Sequence, residues 1–187
     1  IGQMTDADFK SIGYSAAGSD FGGTGTQVLP NCKSVDLSEV TGITNIPNKA
    51  FLECKNLNTF IFPKTGVKET GMWSFIRSGI TTIEFPDGFT SIGMSSFLDC
   101  AALSEVVLPS TLTILDPIAF GGCIELKEFT LSSDNPAFST REGILFDKAM
   151  FLIIAKMIGA DIILGFYFSF IGMRQCVLVI GLIYVLI

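Results

Sequence analysis

Phenylalanines at positions 51, 75, 97 and 120 recur at intervals of 24, 22 and 23 residues, and each opens the same short phrase. Three residues later come Cys54, Ser78, Cys100 and Cys123. Leu57, Ile80, Leu103 and Leu126 follow, six residues after the Phe in three units and five in the second. Behind them run Phe60, Ile83, Val106 and Phe129, then Phe62, Phe85, Leu108 and Leu131, with Pro63, Pro86 and Pro109 closing three units. The apolar beat continues between units at Ile43, Val67, Phe89 and Leu112, and at Ile46, Ile92 and Leu115, where Thr70 is the weak member. Cys32, Val35 and Leu37 in "CKSVDL" fill the Leu, Val and Leu slots of a degenerate first copy. Self-similarity on this scale constrains the fold more than any composition does. Each unit is too small to bury its own apolar face and has to stack against copies of itself.

The period and the L-x-x-h-x-h core, with h any apolar residue, match a leucine-rich repeat. "LSEVVLP" alternates over a strand length and stops at Pro109, which has no N–H to continue a ladder. "IGMSSFLDCAAL" has too few apolar positions for a full amphipathic helix, so a short helix or 3₁₀ turn is expected on the convex side. The expected fold is an α/β repeat: a leucine-rich-repeat solenoid of about four to five units with a parallel concave sheet and short helical or 3₁₀ convex segments. Residues 1–28 are expected to form an N-terminal cap helix, opened by Thr5 as N-cap, and a Gly-rich loop; 29–150 form the repeats; 151–187 form an apolar tail.

"IPNKAFLECKNLNTFIFP", "FTSIGMSSFLDCAALSEVVLP" and "LTILDPIAFGGCIELKEFTL" resemble the BspA-like leucine-rich repeats of surface proteins from host-associated bacteria and some parasitic protists. "MTDADFKSIG", "VDLSEVTGITNIP" and "NPAFSTREGILFDK" look like segments that accompany such repeats, so the likeness covers roughly residues 1–150. The resemblance implies a curved solenoid used for adhesion to, or recognition of, host proteins, on a cell surface or secreted, with no catalytic residues and no cofactor. Two departures stand out. The second unit, "GMWSFIRSGITTIEFP", lacks the Ala-Phe and the Cys and is one residue short before Ile80. After "GILFDKAM" the pattern of a further strand and repeat is not continued.

With the apolar pair of each strand turned inward, alternate residues point out onto the concave face. These are Ser34, Asp36, Thr59, Ile61, Thr82, Glu84, Glu105, Val107, Glu128 and Thr130. Glu84, Glu105 and Glu128 are expected to line up as an acidic stripe with Asp36, suited to a basic patch on a partner protein. The competing reading is a solvated face whose charges only keep the solenoid soluble. A structural spacer holding another domain off the cell is the alternative function.

Residues 1–150 hold 17 acidic and 10 basic residues, a net charge of −7 that reads as a soluble acidic protein, and no Lys/Arg cluster is present, which argues against nucleic acid as a partner. The chain has no histidine, so neither a Ser-His-Asp nor a Cys-His arrangement exists, and no cysteine pair has metal-ligand spacing. Cys54, Cys100 and Cys123 keep the beat of the repeat and read as small buried core residues. "GSDFGGTGTQ" has no Gly-Lys-Ser/Thr and is no phosphate loop. No basic region followed by an apolar run opens the chain as a secretory signal would.

From Phe151 onward both the beat and most charges vanish. Arg174 separates uncharged runs 162–173 and 175–187, each shorter than the roughly 20 residues of a membrane helix. Three readings stand: a membrane-associated anchor, a departure from the ancestral reading frame near Met150, or a buried cap.

Overall fold

The computed structural model describes residues 31–148 and the backbone of 152–154. The expected cap helix, Thr5, the Gly-rich loop and nearly all of the apolar tail lie outside the described residues. Among the described residues every regular element is a strand, and no helix is long and apolar enough to cross a membrane.

The chain winds through successive coils, the first four each with a strand on the concave side, a two-residue strand on a second side and a run of turns on the third. The concave strands are β1 (Ser34–Asp36), β3 (Thr59–Ile61), β5 (Thr82–Glu84), β7 (Glu105–Leu108) and β9 (Glu128–Leu131). The second side is a continuous parallel ladder of β2 (Asn45–Ile46), β4 (Glu69–Thr70), β6 (Ser91–Ile92) and β8 (Ile114–Leu115). The concave strands also pair in parallel, β1 with β3 and β5 with β7 with β9, in two separate ladders. The degenerate first copy is a true coil, because Val35 pairs in register with Phe60 and Leu37 is buried.

Parallel, in-register stacking places like side chains one strand spacing apart, about 4.8 Å. The phenylalanines show the result. Phe51, Phe75, Phe97 and Phe120 form a ladder of nearly parallel rings with centroid separations of 5.0, 4.9 and 5.1 Å. The Leu57, Ile80, Leu103 and Leu126 rung and the Phe60, Ile83, Val106 and Phe129 rung are buried beside it, as the repeat requires. Thr70, the weak member of the second-side rung, is buried too, and its hydroxyl is satisfied: it lies 3.0 Å from Ser96 Oγ and accepts the Gly93 N–H at 3.1 Å.

The convex segments are turns, where short helical or 3₁₀ segments were expected. A helix keeps its N–H groups on its own carbonyls. Here alternate N–H groups leave the coil. Ala50, Leu52 and Cys54 donate back to Pro47, Lys49 and Phe51, whereas Lys49, Phe51 and Glu53 donate to Met72, Ser74 and Ile76 of the next coil. Trp73, Phe75 and Arg77 repeat this onto Met94, Ser96 and Leu98. Left-handed backbone at two positions per coil makes the switch: Lys49 and Glu53, Trp73 and Arg77, Ser95 and Asp99, all with φ between 50 and 59°. A helix of L-residues has no place for such positions. The third side is thereby hydrogen-bonded from coil to coil, like the second. Arg77 reaches Glu53 at 3.3 Å and Asp99 at 3.4 Å along this exposed edge, contacts worth little in water.

The cysteine slot has a specific use. Cys100 Sγ donates to the Phe75 carbonyl at 3.0 Å and Cys123 Sγ to the Phe97 carbonyl at 3.2 Å, each tying its coil to the one before. Ser78, which replaces the cysteine in the second unit, lies 3.3 Å from Cys100 Sγ. Burial disfavours the thiolates: it pushes Cys54 and Cys100 up to about 11 and Cys123 further still. In the unfolded chain these thiols titrate near 8.5. Above that pH the unfolded state has lost protons that the folded state retains, so stability is fully present below about pH 8 and falls as pH rises. Urea midpoints measured from pH 7 to 11 are expected to decline above pH 9, by up to about 1.4 kcal/mol per pH unit for each such thiol. A flat profile would show that the thiols are not held in the protonated form.

At the C-terminal end β10 (Phe138–Arg141) and β11 (Ile144–Asp147) form an antiparallel hairpin. Its two-residue loop, Glu142-Gly143, has φ of 53 and 76°, the left-handed pair that suits the twist of a tight hairpin. Phe138 and Leu145 are buried against the last coil, and the Phe129 N–H reaches the Gly143 carbonyl at 3.4 Å. Beyond "GILFDKAM" the chain does enter another strand, contrary to the expectation from sequence: β12 (Leu152–Ile154) pairs antiparallel with β11, as a further strand of the hairpin sheet and not as a new coil.

Candidate functional site

The concave face carries the outward-pointing residues expected from the sequence. Ser34, Asp36, Thr59, Ile61, Thr82, Glu84, Glu105, Glu128 and Thr130 are exposed, and Val107 is half-buried. Val35, Phe60, Ile83, Val106 and Phe129, between them in sequence, face the core. This alternation is the consequence of a strand with one buried side.

The register assigns these outward residues to two rows. Ser34 pairs with Thr59, and Thr82 with Glu105 and then Glu128. Asp36 pairs with Ile61, and Glu84 with Val107 and then Thr130. The expected single acidic stripe is therefore corrected. Glu84 lies one outward position further along its strand than Glu105 and Glu128, in the row of Val107 and Thr130. What the ladder does bring together is the Glu105 and Glu128 pair, on adjacent strands. Like charges directly opposite each other repel and raise the local negative potential. Among the described residues neither glutamate has an ion-pair partner.

The other end of the face is more nearly neutral. Asp36 accepts the Ser38 N–H at 2.8 Å, which holds its carboxyl below the ordinary carboxylate range, with Lys64 a lesser contribution. Lys64 is engaged by Glu39, and this hydrogen bond raises the lysine above its ordinary range. Ser38, Glu39, Val40, Thr41, Lys64 and Thr65 line a shallow open depression of about 260 Å³ beyond the ends of β1 and β3. Sequence reasoning missed this depression because its residues sit after the strands, in turns that carry no rung of the repeat. Among the described residues no group of cysteine and acidic side chains has the arrangement of a metal site.

A family model described as the BspA type leucine-rich-repeat region matches residues 25–141 in six copies, against the four to five units expected from the sequence. No curated protein matches. Among solved structures, the pneumococcal vaccine antigen PcpA is similar at 22% identity over 68% of this chain and 37% of its own, with a TM-score of 0.49. A leucine-rich-repeat protein from Bacteroides ovatus is similar at 28% identity over 54% of this chain and 26% of its own, with a TM-score of 0.46. The T. pallidum leucine-rich-repeat protein TpLRR is similar at 22% identity over 52% of this chain and 57% of its own, with a TM-score of 0.45. This chain spans only 37% and 26% of the length of the first two. With most of its length under the family model and that model's rungs forming the buried core, the chain belongs to the BspA-type leucine-rich-repeat family.

Proposed function

We propose that the repeats are the non-catalytic binding module of a cell-surface or secreted protein, which recognises a host protein through the concave face. The observation that carries this reading is the adjacent Glu105 and Glu128 pair on an open sheet face, exposed and without a cationic partner among the described residues. A face kept only for solubility gains nothing from placing two carboxylates opposite each other, whereas a basic partner patch is attracted by their combined field. Thr82 and Thr130 flank the acids with short hydroxyl side chains, and Val107 adds apolar area beside them, while Thr59 and Ile61 continue the outward rows on β3.

The test presents the full chain, and a variant with Glu84, Glu105 and Glu128 all changed to Ser, to immobilised extracellular-matrix and host-surface proteins. The wild type is expected to bind at least one of them, weakening with added salt, and the variant to bind at least about tenfold more weakly. Equal binding by both chains would remove the acids from the interface. Binding by neither, with both folded, would favour the spacer role instead.

A further inference from the structure

The concave sheet is not continuous. Its β1–β3 ladder and its β5–β7–β9 ladder meet without a strand pairing between β3 and β5, although the second-side ladder crosses the same junction unbroken through β4 and β6. The main chain shows what is missing. The Leu37 N–H donates to the Ile61 carbonyl at 2.9 Å and the Phe85 N–H to the Val107 carbonyl at 3.1 Å, each crossing to the next coil just after its strand. Phe62, at the equivalent place in β3's coil, makes no such bond to β5. At the entrance of this joint on the concave side the Thr81 N–H donates to the Asn58 carbonyl at 3.2 Å.

The break follows the unit that is one residue short. In the other units the turn before the strand is closed within the coil, by Leu57 N–H to Cys54, Leu103 N–H to Cys100 and Leu126 N–H to Cys123 carbonyls at 3.0 to 3.1 Å. Ile80 has no counterpart. Instead the Gly79 N–H reaches back to the Cys54 carbonyl at 3.1 Å, and the backbone comes so close that a Cβ on Gly79 would stand 2.1 Å from the Lys55 carbonyl oxygen. The missing residue thus draws the chain onto the preceding coil immediately before β5, and the strand that follows leaves its neighbour's ladder unmade.

We propose that this joint is a hinge seam, where the concave face parts between β3 and β5 while the second-side ladder and the phenylalanine stack hold the coils together. It crosses the middle of the outward rows, between Thr59 and Ile61 on one side and Thr82 and Glu84 on the other, so the spacing of those pairs varies while the Glu105 and Glu128 spacing stays fixed.

Amide hydrogen exchange on the full chain tests this. The Phe62 N–H is expected to exchange at least about tenfold faster than those of Phe85 and Leu37, while the Thr90 N–H, bonded to the Lys68 carbonyl across the same joint on the second side, stays protected. Equal protection of Phe62 and Phe85 would overturn the seam. Loss of protection at Thr90 together with Phe62 would overturn the hinge, since the whole joint would then be opening. One Ala inserted between Ser78 and Gly79 restores the six-residue spacing from Phe75, and is expected to bring Phe62 towards the protection of Phe85. A folded insertion variant with Phe62 still unprotected would overturn the short turn as the cause.

Discussion

Replacing Phe97 with Ala is expected to lower stability by about 3–5 kcal/mol, the cost of deleting a fully enclosed phenylalanine. Phe97 has no exposed surface, and its ring touches three others: Phe75 at 4.9 Å and Phe120 at 5.1 Å along the ladder, and Phe85 edge-on at 5.7 Å. The hole would open in the middle of a stack whose coils are hydrogen-bonded to the ones before and after, along β5, β7 and β9 and through the Phe75 and Phe97 N–H groups, so the coils cannot close over it. In a solenoid stability is the sum of each coil and its interfaces with its neighbours. Loss of the central interface therefore weakens the coupling between the two halves as well as the total. Urea unfolding followed by far-UV circular dichroism should show the midpoint falling by more than about 1 M, with a shallower transition as the halves uncouple. Phe97→Leu, which retains most of the volume, is expected to lose much less. A midpoint for Phe97→Ala within experimental scatter of wild type would mean that the ladder is not what holds the coils together.

How far the sequence discloses this molecule depends on whether a feature repeats. The Phe, Leu and Cys slots are legible because each is occupied several times at one spacing, and burial follows from the slot. The convex turns read as helical in the sequence because left-handed backbone leaves almost no trace in residue type. Glu53, Arg77 and Asp99 adopt it at the cost an L-side chain incurs, and only at the fourth equivalent position does Gly122, with φ of 71°, declare it. The single acidic stripe fails for another reason. Glu84, Glu105 and Glu128 share a residue type, but the slot that aligns with Glu105 and Glu128 belongs to Thr82. Counting from Ile83 and Val106, the matched core rung, would have put Glu84 with Val107. The seam at β5 was half visible: the one-residue deficit is plain in "FIRSGI", whereas its consequence for the ladder depends on backbone geometry that no spacing encodes.

Asn135 occurs once, repeats nowhere, and carries the second large expected effect. It lies at the end of the last coil, 1% exposed, with both ends of its amide engaged. Its Nδ2 shares two hydrogens among three carbonyls of the preceding coil, those of Pro109 at 3.2 Å, Ser110 at 3.2 Å and Leu112 at 2.9 Å. Its Oδ1 accepts the N–H groups of Ala137 at 2.9 Å and Phe138 at 2.7 Å, which sets the entry of β10. A carboxamide is the one side chain of this size that offers donors on one side and an acceptor on the other. Asn135→Asp preserves the shape and the acceptor but turns an anionic oxygen towards three carbonyl oxygens. Leaving those acceptors unpaired and burying a charge should cost at least about 3 kcal/mol at neutral pH. The sign with pH follows from linkage. The introduced carboxyl is held neutral in the folded state, its folded pKa above the ordinary value of about 3.9, so the loss is smallest below about pH 4 and grows as the pH rises and the unfolded chain ionises. Asn135→Ala, which removes donor and acceptor together, is expected to be destabilised by a similar amount at pH 7 but with no such dependence on pH beyond that of the wild type. Thermal unfolding of the three chains at pH 4 and pH 7 decides it. An Asn135→Asp chain as stable as wild type at pH 7 would mean that the three carbonyls are satisfied without this amide, and that the hairpin closes the solenoid by its apolar contacts alone.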